Sequence, residues 1–218
     1  MEQQVQTDVQ QEDSELLAIK QYIRKYGKLT IVVVLLFAII GVGATYWYRK
    51  SAVIAKNASQ IFQEMVLAEL HQDSQTASAK GSQLISDYSN TPYAQFASLL
   101  LAKISVGEGD LDKAVEQLRL VADKKGSKNL ARHLAVVRLA AVYLEQNKLD
   151  AALDLVKKDP EPAYVALYAQ ARGDVYVAKG DIEEAKKAYM LAMQSMPAGV
   201  QSPLLQMKVL DLGGMENV

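Results

Sequence analysis

The chain has 218 residues, half of them hydrophobic, with 24 Lys+Arg against 25 Asp+Glu and no cysteine. The missing cysteines exclude a disulfide scaffold, zinc–thiolate sites and thiol chemistry. Beyond residue 48 the charges balance, 20 basic against 20 acidic, so nothing favours nucleic acid or an acidic polymer as partner.

Residues 1–15 hold five acids, many glutamines and no Lys or Arg. So polar a segment cannot offset its own ordering entropy, and disorder is expected. Leu16, Ile19, Ile23 and Tyr26 then recur at helical spacing beside Lys20, Arg24, Lys25 and Lys28. That pattern fits a short amphipathic helix on anionic headgroups, or a docking site for a cytoplasmic protein.

Leu29–Tyr48, LTIVVVLLFAIIGVGATYWY, carries no charge and ends in three aromatic residues followed by Arg49 and Lys50. Its length matches the roughly 20 residues that cross a bilayer core, and the aromatic triplet resembles an interfacial belt. One reading is an uncleaved signal anchor. The other is a signal peptide cut after Ala44, with Val42 and Ala44 at the cleavage positions. The long apolar run and the acidic start favour the anchor. Four basic residues before the span against three after it are a weak guide to orientation. A single early anchor with a short tail places the N-terminus in the cytoplasm and residues 49–218 outside it. That leaves about 170 residues, enough for one domain with a core.

Ile54, Ala58, Ile61, Met65 and Ala68 mark the next helical face, and 74–88 is a further helix. Thr91-Pro92 reads as an N-cap followed by proline at the first helical position. From there on the pattern is helix, turn, helix, with turns at 107–109, Gly126, Asn147 and Gly180. No strand alternation appears.

Three helix starts align: GDLDKA from Gly109, NKLDAA from Asn147 and GDIEEA from Gly180. A helix–turn–helix unit with a period near 34 is the tetratricopeptide signature. The third copy is fullest. Gly173 lets its two helices approach, Ala185 is the small contact residue, Tyr176, Tyr189 and Ala192 continue the pattern, and Pro197 ends it. Asp181 and Glu184 are placed for a capping box. The second copy keeps Tyr143 and Ala152 but has Ala140 where glycine is usual, and it breaks at Asp159-Pro160. The first keeps Ala102 and Ala114. Such units bury their apolar faces by stacking. The expected layout is all-α: 1–28 a cytoplasmic tail with a short amphipathic helix, 29–48 a transmembrane helix, 49–90 linker and N-terminal capping helices, and 91–218 a tetratricopeptide-like α-solenoid with a C-terminal capping helix.

Acidic tail, early span and helical repeats resemble, in that order, the YfgM family, ancillary subunits of the bacterial SecYEG translocon. The similarity is most specific in Arg172-Gly-Asp-Val-Tyr-Val-Ala-Lys-Gly-Asp181 and in Leu205-Gln-Met-Lys-Val209. The resemblance implies a single-pass inner-membrane protein with a periplasmic domain. It also implies association with SecYEG and with a PpiD-like membrane-anchored chaperone, and transfer of unfolded periplasmic clients to chaperones. It carries over no catalytic residue and no cofactor.

The residues themselves point the same way. His71 and His133 are the only histidines, and neither has a ligand partner at helical spacing. No P-loop, GxSxG or HExxH motif occurs. Alignment on Ala102, Ala140 and Gly173 predicts a concave, partner-binding face. Its first row is Phe96, Leu99, Lys103 and Val106, its second Leu134, Val137, Ala141 and Leu144, and its third Leu167, Gln170, Asp174 and Val177. With Lys103 as its only cation, this face suits an amphipathic helix or an unfolded apolar segment. The chain's own Leu204, Leu205, Met207, Val209 and Leu210 could fill it instead. Met190, Met193 and Met196, like Tyr164 and Tyr168, read as packing residues. The leading function is a membrane-anchored adaptor at the translocon. The alternatives are an envelope scaffold recruiting cell-wall or division enzymes, and an enzyme with an unrecognised polar pocket.

Overall fold

The computed structural model describes residues 2–124, 129–158, 160–197, 199–200 and 202–213, without the side chains of residues 2–31, 33–35 and 44. The expected turn at Gly126 lies outside the described residues. Every described element is helical: α1 (Glu2–Leu70), α2 (Ser74–Asp87), α3 (Pro92–Gly107), α4 (Leu111–Ala122), α5 (Leu130–Glu145), α6 (Leu149–Val156), a 3-10 turn (Pro162–Tyr164), α7 (Val165–Lys179), α8 (Ile182–Gln194) and α9 (Pro203–Asp211).

The chain forms two compact units, Met1–Ala55 and Lys56–Val218. In the first, α1 starts at Glu2, where composition leads one to expect disorder. The cause is local: no glycine or proline precedes Gly27, and glutamine and glutamate favour a helix. Among the described residues no helix is long and apolar enough to cross a membrane. The expected span at 29–48 lies in part outside the described side chains. Its described large apolar residues, from Val32 and Leu36 to Trp47 and Tyr48, are each more than half exposed. Phe37, Ile39 and Ile40 alone cover widely separated directions around the helix, since each residue turns it by about 100°.

The second unit is a stack of helix pairs. A left-handed residue precedes the second helix of each pair: Gln72 (φ 60), Gly109 (φ 80), Asn147 (φ 55) and Gly180 (φ 79). Three of these are turn positions legible in the sequence. Gln72 shows that the end of α1 and α2 make the same turn, although glutamine enters this region at a cost. Asp73 and Asp110 cap α2 and α4 by accepting from the backbone N–H of Thr76 and Lys113. Thr91 caps α3 ahead of Pro92 by accepting from Ala94 N. The expected capping box on α8 does not form. The Asp181 side chain makes no cap hydrogen bond, and Glu184 is drawn instead to Lys187 at 2.6 Å.

Among the described residues three apolar clusters run along the stack. The central one joins Leu99 of α3, Ala114 and Leu118 of α4, Leu139 of α5, Ala152 of α6 and Val175 of α7. At one end Ala58, Met65 and Ala68 pack with Ala77, Leu84 and Leu101. At the other, Leu205 and Val209 of α9 pack with Ala185, Tyr189 and Ala192 of α8. Polar ties between residues 34 apart link successive pairs: Glu69–Lys103, Gln95–Asn129, Asp112–Gln146 and Asp174–Lys208. At Gly173 the ring of Tyr189 occupies the space a Cβ would take, and the Tyr189 hydroxyl donates to Asp174 Oδ1 at 2.6 Å. Burial and the Asp174 carboxylate push the Tyr189 phenol well above its ordinary range.

Candidate functional site

The first helices of successive pairs, α3 and α5, run in the same direction because two hairpins separate them. Between them lies an open cavity of about 360 Å³ lined by Leu99, Ala102, Lys103, Val106, Leu118, Arg138, Ala141, Val142 and Glu145. Four residues of the predicted face meet here: Leu99, Lys103, Val106 and Ala141. Leu99, only 3% exposed, forms floor and core together, so truncating it damages both. Lys103 and Val106 stand at the open side, and Lys103 pairs with Glu69 at 3.1 Å.

The remaining predicted residues do not join this cavity. Phe96 is partly exposed and lies 6.4 Å, centroid to centroid, from Phe62 of α1. Leu134, Val137, Leu144 and Leu167 are half-buried against the central cluster. A Val137→Asp substitution therefore disturbs the core before it reports on a partner. Gln170 is half-buried and Val177 exposed. Asp174 is held from two sides, by the Tyr189 hydroxyl and by Lys208 of α9.

The sequence missed Arg138 and Glu145, each one residue from the predicted row. A helix turns by about 100° per residue, so a small error in rotation exchanged Val137 for Arg138. The face consequently carries a second cation. The expectation that the C-terminal helix fills the groove also fails for this cavity. Leu204, Met207 and Leu210 are more than half exposed and do not line it. Leu205 and Val209 pack on α8 because α9 stacks as the first helix of another pair. Of the methionines, Met193 and Met196 pack on that cluster and Met190 is exposed.

A second arrangement was not legible in the sequence. Helix α6 spans only Leu149–Val156, so no further turn of it covers the start of α5. His133, 2% exposed, sits there with Tyr164 stacked on its ring at 3.9 Å. Its Nδ1 lies 3.0 Å from the Tyr168 hydroxyl and its Nε2 3.3 Å from Glu161 Oε2. Burial pushes the Tyr168 phenol up. The expected packing role of Tyr164 and Tyr168 is thus played against a histidine. Nearby, Arg119 donates to the Tyr143 hydroxyl at 2.7 Å, which ties α4 to α5. An open cavity of about 770 Å³ with mixed polar and apolar walls adjoins these groups, with Arg119, Arg132, Asp154 and Glu161 among its lining. Among the described residues no three His, Asp or Glu side chains converge as a metal-ligand set.

A family profile described as a tetratricopeptide repeat-like domain matches residues 20–214. The ancillary SecYEG translocon subunit of Aggregatibacter actinomycetemcomitans is 30% identical over 203 residues, covering 93% of this chain and 98% of that protein. The protein of the same description from Escherichia coli (strain K12) is also 30% identical, covering 92% of this chain and 96% of its own length. Among solved structures, BtubC (BKLC) from P. vanneervenii aligns with a TM-score of 0.60 at 17% identity, over 76% of this chain and 74% of that one. That last likeness concerns the fold alone.

Proposed function

The chain belongs to the family of ancillary SecYEG translocon subunits with a tetratricopeptide repeat-like domain, and on that premise we propose that it is a non-enzymatic adaptor tethered beside the SecYEG channel. The observation that carries the reading is the near full-length match to relatives described as translocon subunits. A membrane tether is supported by the exposed apolar side chains of α1, which present no polar side among Leu36–Val42. In water such a surface requires a cover, and a bilayer supplies one.

In this reading residues 29–48 span the inner membrane once. The N-terminus is cytoplasmic and the repeat domain periplasmic. The concave side, including Phe96, Leu99, Lys103, Val106, Ala141 and Val177, meets partners: the translocon, a PpiD-like anchored chaperone and unfolded periplasmic clients on their way to soluble chaperones. The physical mechanism is restriction in space. A domain held in a thin layer at the channel exit meets its partners at high effective concentration, so individually weak contacts suffice. No chemistry on the client is required.

The test is photo-crosslinking in cells from Phe96, Ala141 and Val177, followed by purification in mild detergent. Adducts with translocon or chaperone subunits are expected, and a purification lacking both kinds overturns the reading. Protease added to spheroplasts should digest residues 49–218. Protection of that portion, or a mature protein beginning at Thr45, removes the tether.

A further inference from the structure

We propose that the α3–α5 cavity receives an amphipathic helix, which buries one large apolar side chain on the floor and sets a carboxylate one turn away against Arg138. The inference deepens the adaptor reading and rests on its placing of partners on the concave side. It is carried by the shape of the cavity and the position of its charges.

Leu99, Leu118 and Val142 make an apolar base, and Ala141 keeps one wall low. A dry apolar space of about 150 Å³ already accepts benzene, so 360 Å³ holds a leucine or phenylalanine with part of its neighbour. The base lies between two helices that run in the same direction. Leu99 and Val106 are seven residues apart on α3, about 10.5 Å along the axis. That is the spacing of anchors i and i+7 on a helix laid in the groove.

Charge then selects among apolar helices. Lys103 is already neutralised by Glu69. Arg138 is exposed at the edge of the apolar base and has no ion pair or side-chain hydrogen bond among the described residues. Glu145, also exposed and without an ion pair among the described residues, lies two turns further along α5, so it leaves Arg138 unpaired and sets an anion at the other end of the groove. A partner carboxylate reaching Arg138 gains a charge-assisted contact beside an apolar surface. A lysine there meets a cation beside an apolar surface and is rejected.

The test uses the full chain in phosphatidylcholine nanodiscs, with empty nanodiscs as the blank. Two fluorescein-labelled blocked peptides of about 18 residues, long enough to become helical on binding, place leucines at i, i+3, i+4 and i+7. One carries a glutamate one turn from the central leucine, to face Arg138, and the second a lysine at that position, with glutamine at the other polar positions. Fluorescence anisotropy should give roughly tenfold tighter binding of the glutamate peptide. Ala141→Trp, which fills the cavity, should remove that binding. Arg138→Glu, at an exposed position, should abolish the preference or reverse it, with unchanged circular dichroism. Equal binding of the two peptides, or glutamate-peptide binding that survives Ala141→Trp, overturns the proposal. So does concentration-dependent self-association that Ala141→Trp abolishes, since a second copy would then be the occupant. No translocon is present in this assay, so its failure leaves the crosslinking result standing and is read separately.

Discussion

Replacing Gly173 with alanine places a methyl carbon 2.3 Å from Cε1 and 2.4 Å from Cδ1 of Tyr189. Ordinary contact begins near 3.4 Å, so the ring must retreat by about 1 Å in an interior packed as tightly as a crystal. Tyr189 is 2% exposed and is enclosed by Ala169, Ala192, Leu205 and Val209. Overpacking of this kind costs about 1–3 kcal/mol. Moving the ring also strains the hydroxyl bond to Asp174, a contact to a charged group worth about 1.5–3 kcal/mol. The better helix propensity of alanine returns about 1 kcal/mol. The expected net loss is about 1.5–5 kcal/mol, read as a lower urea midpoint for the full chain in detergent by far-ultraviolet circular dichroism. In a Tyr189→Ala background the same Gly173→Ala change meets no ring and should stabilise by about 1 kcal/mol. A Gly173→Ala protein as stable as the parent, or a loss of equal size in both backgrounds, would refute the reasoning.

His133→Ala leaves a void against Tyr164 and removes the partner of the buried Tyr168 hydroxyl. Its expected cost is about 2–4 kcal/mol by urea unfolding, against about 1 kcal/mol for Tyr168→Phe. Lys208→Ala cuts the tie to Asp174. It should raise amide exchange in α9 while leaving α5 protected, and equal deprotection of both would contradict the stacking. Hydrogen bonding by Lys179 holds the Asp150 carboxyl below its ordinary value, and the Thr76 side chain does the same for Asp73. A depressed carboxyl contributes stability at pH above its unfolded value and loses it as pH falls through the folded value. Both groups should therefore titrate below an ordinary aspartate by carboxyl NMR, and the first turn of α2 should loosen only at that lower pH. Ordinary midpoints would remove the two contacts from the account.

The helices and most of their turns were legible because breaking residues mark them. Gly109, Asn147 and Gly180 tolerate positive φ, and Thr91-Pro92 announces a helix start. Gly173 was legible as a close approach because a glycine inside a helix otherwise only costs stability. The pair formed by the end of α1 and α2 was harder to see, because Gln72 takes the left-handed position and no glycine signals it. Of the predicted α3 row, Leu99, Lys103 and Val106 line the α3–α5 cavity and Phe96 does not. Arg138 was lost because periodicity identifies a face but not its rotation to within one residue. The His133 cluster had only one local cue, the Asp159-Pro160 break. α6 ends at Val156, ahead of that dipeptide, but which side chains gather beside a short helix depends on the neighbouring pairs. The capping box failed for a related reason: Glu184 had a lysine one turn away, and the motif takes no account of competitors.

The division of the apolar interior into three clusters bears on how the domain breathes. In a row of modules each held only by its neighbours, opening starts at the ends, where one side lacks support. The α8–α9 end can loosen while the middle cluster persists, and so can the pair formed by α1 and α2. The α3–α5 cavity sits over that middle cluster. Its shape therefore survives fluctuations that would erase a pocket at either end, and a visiting helix finds the same landing place in a domain whose outer modules are partly undone.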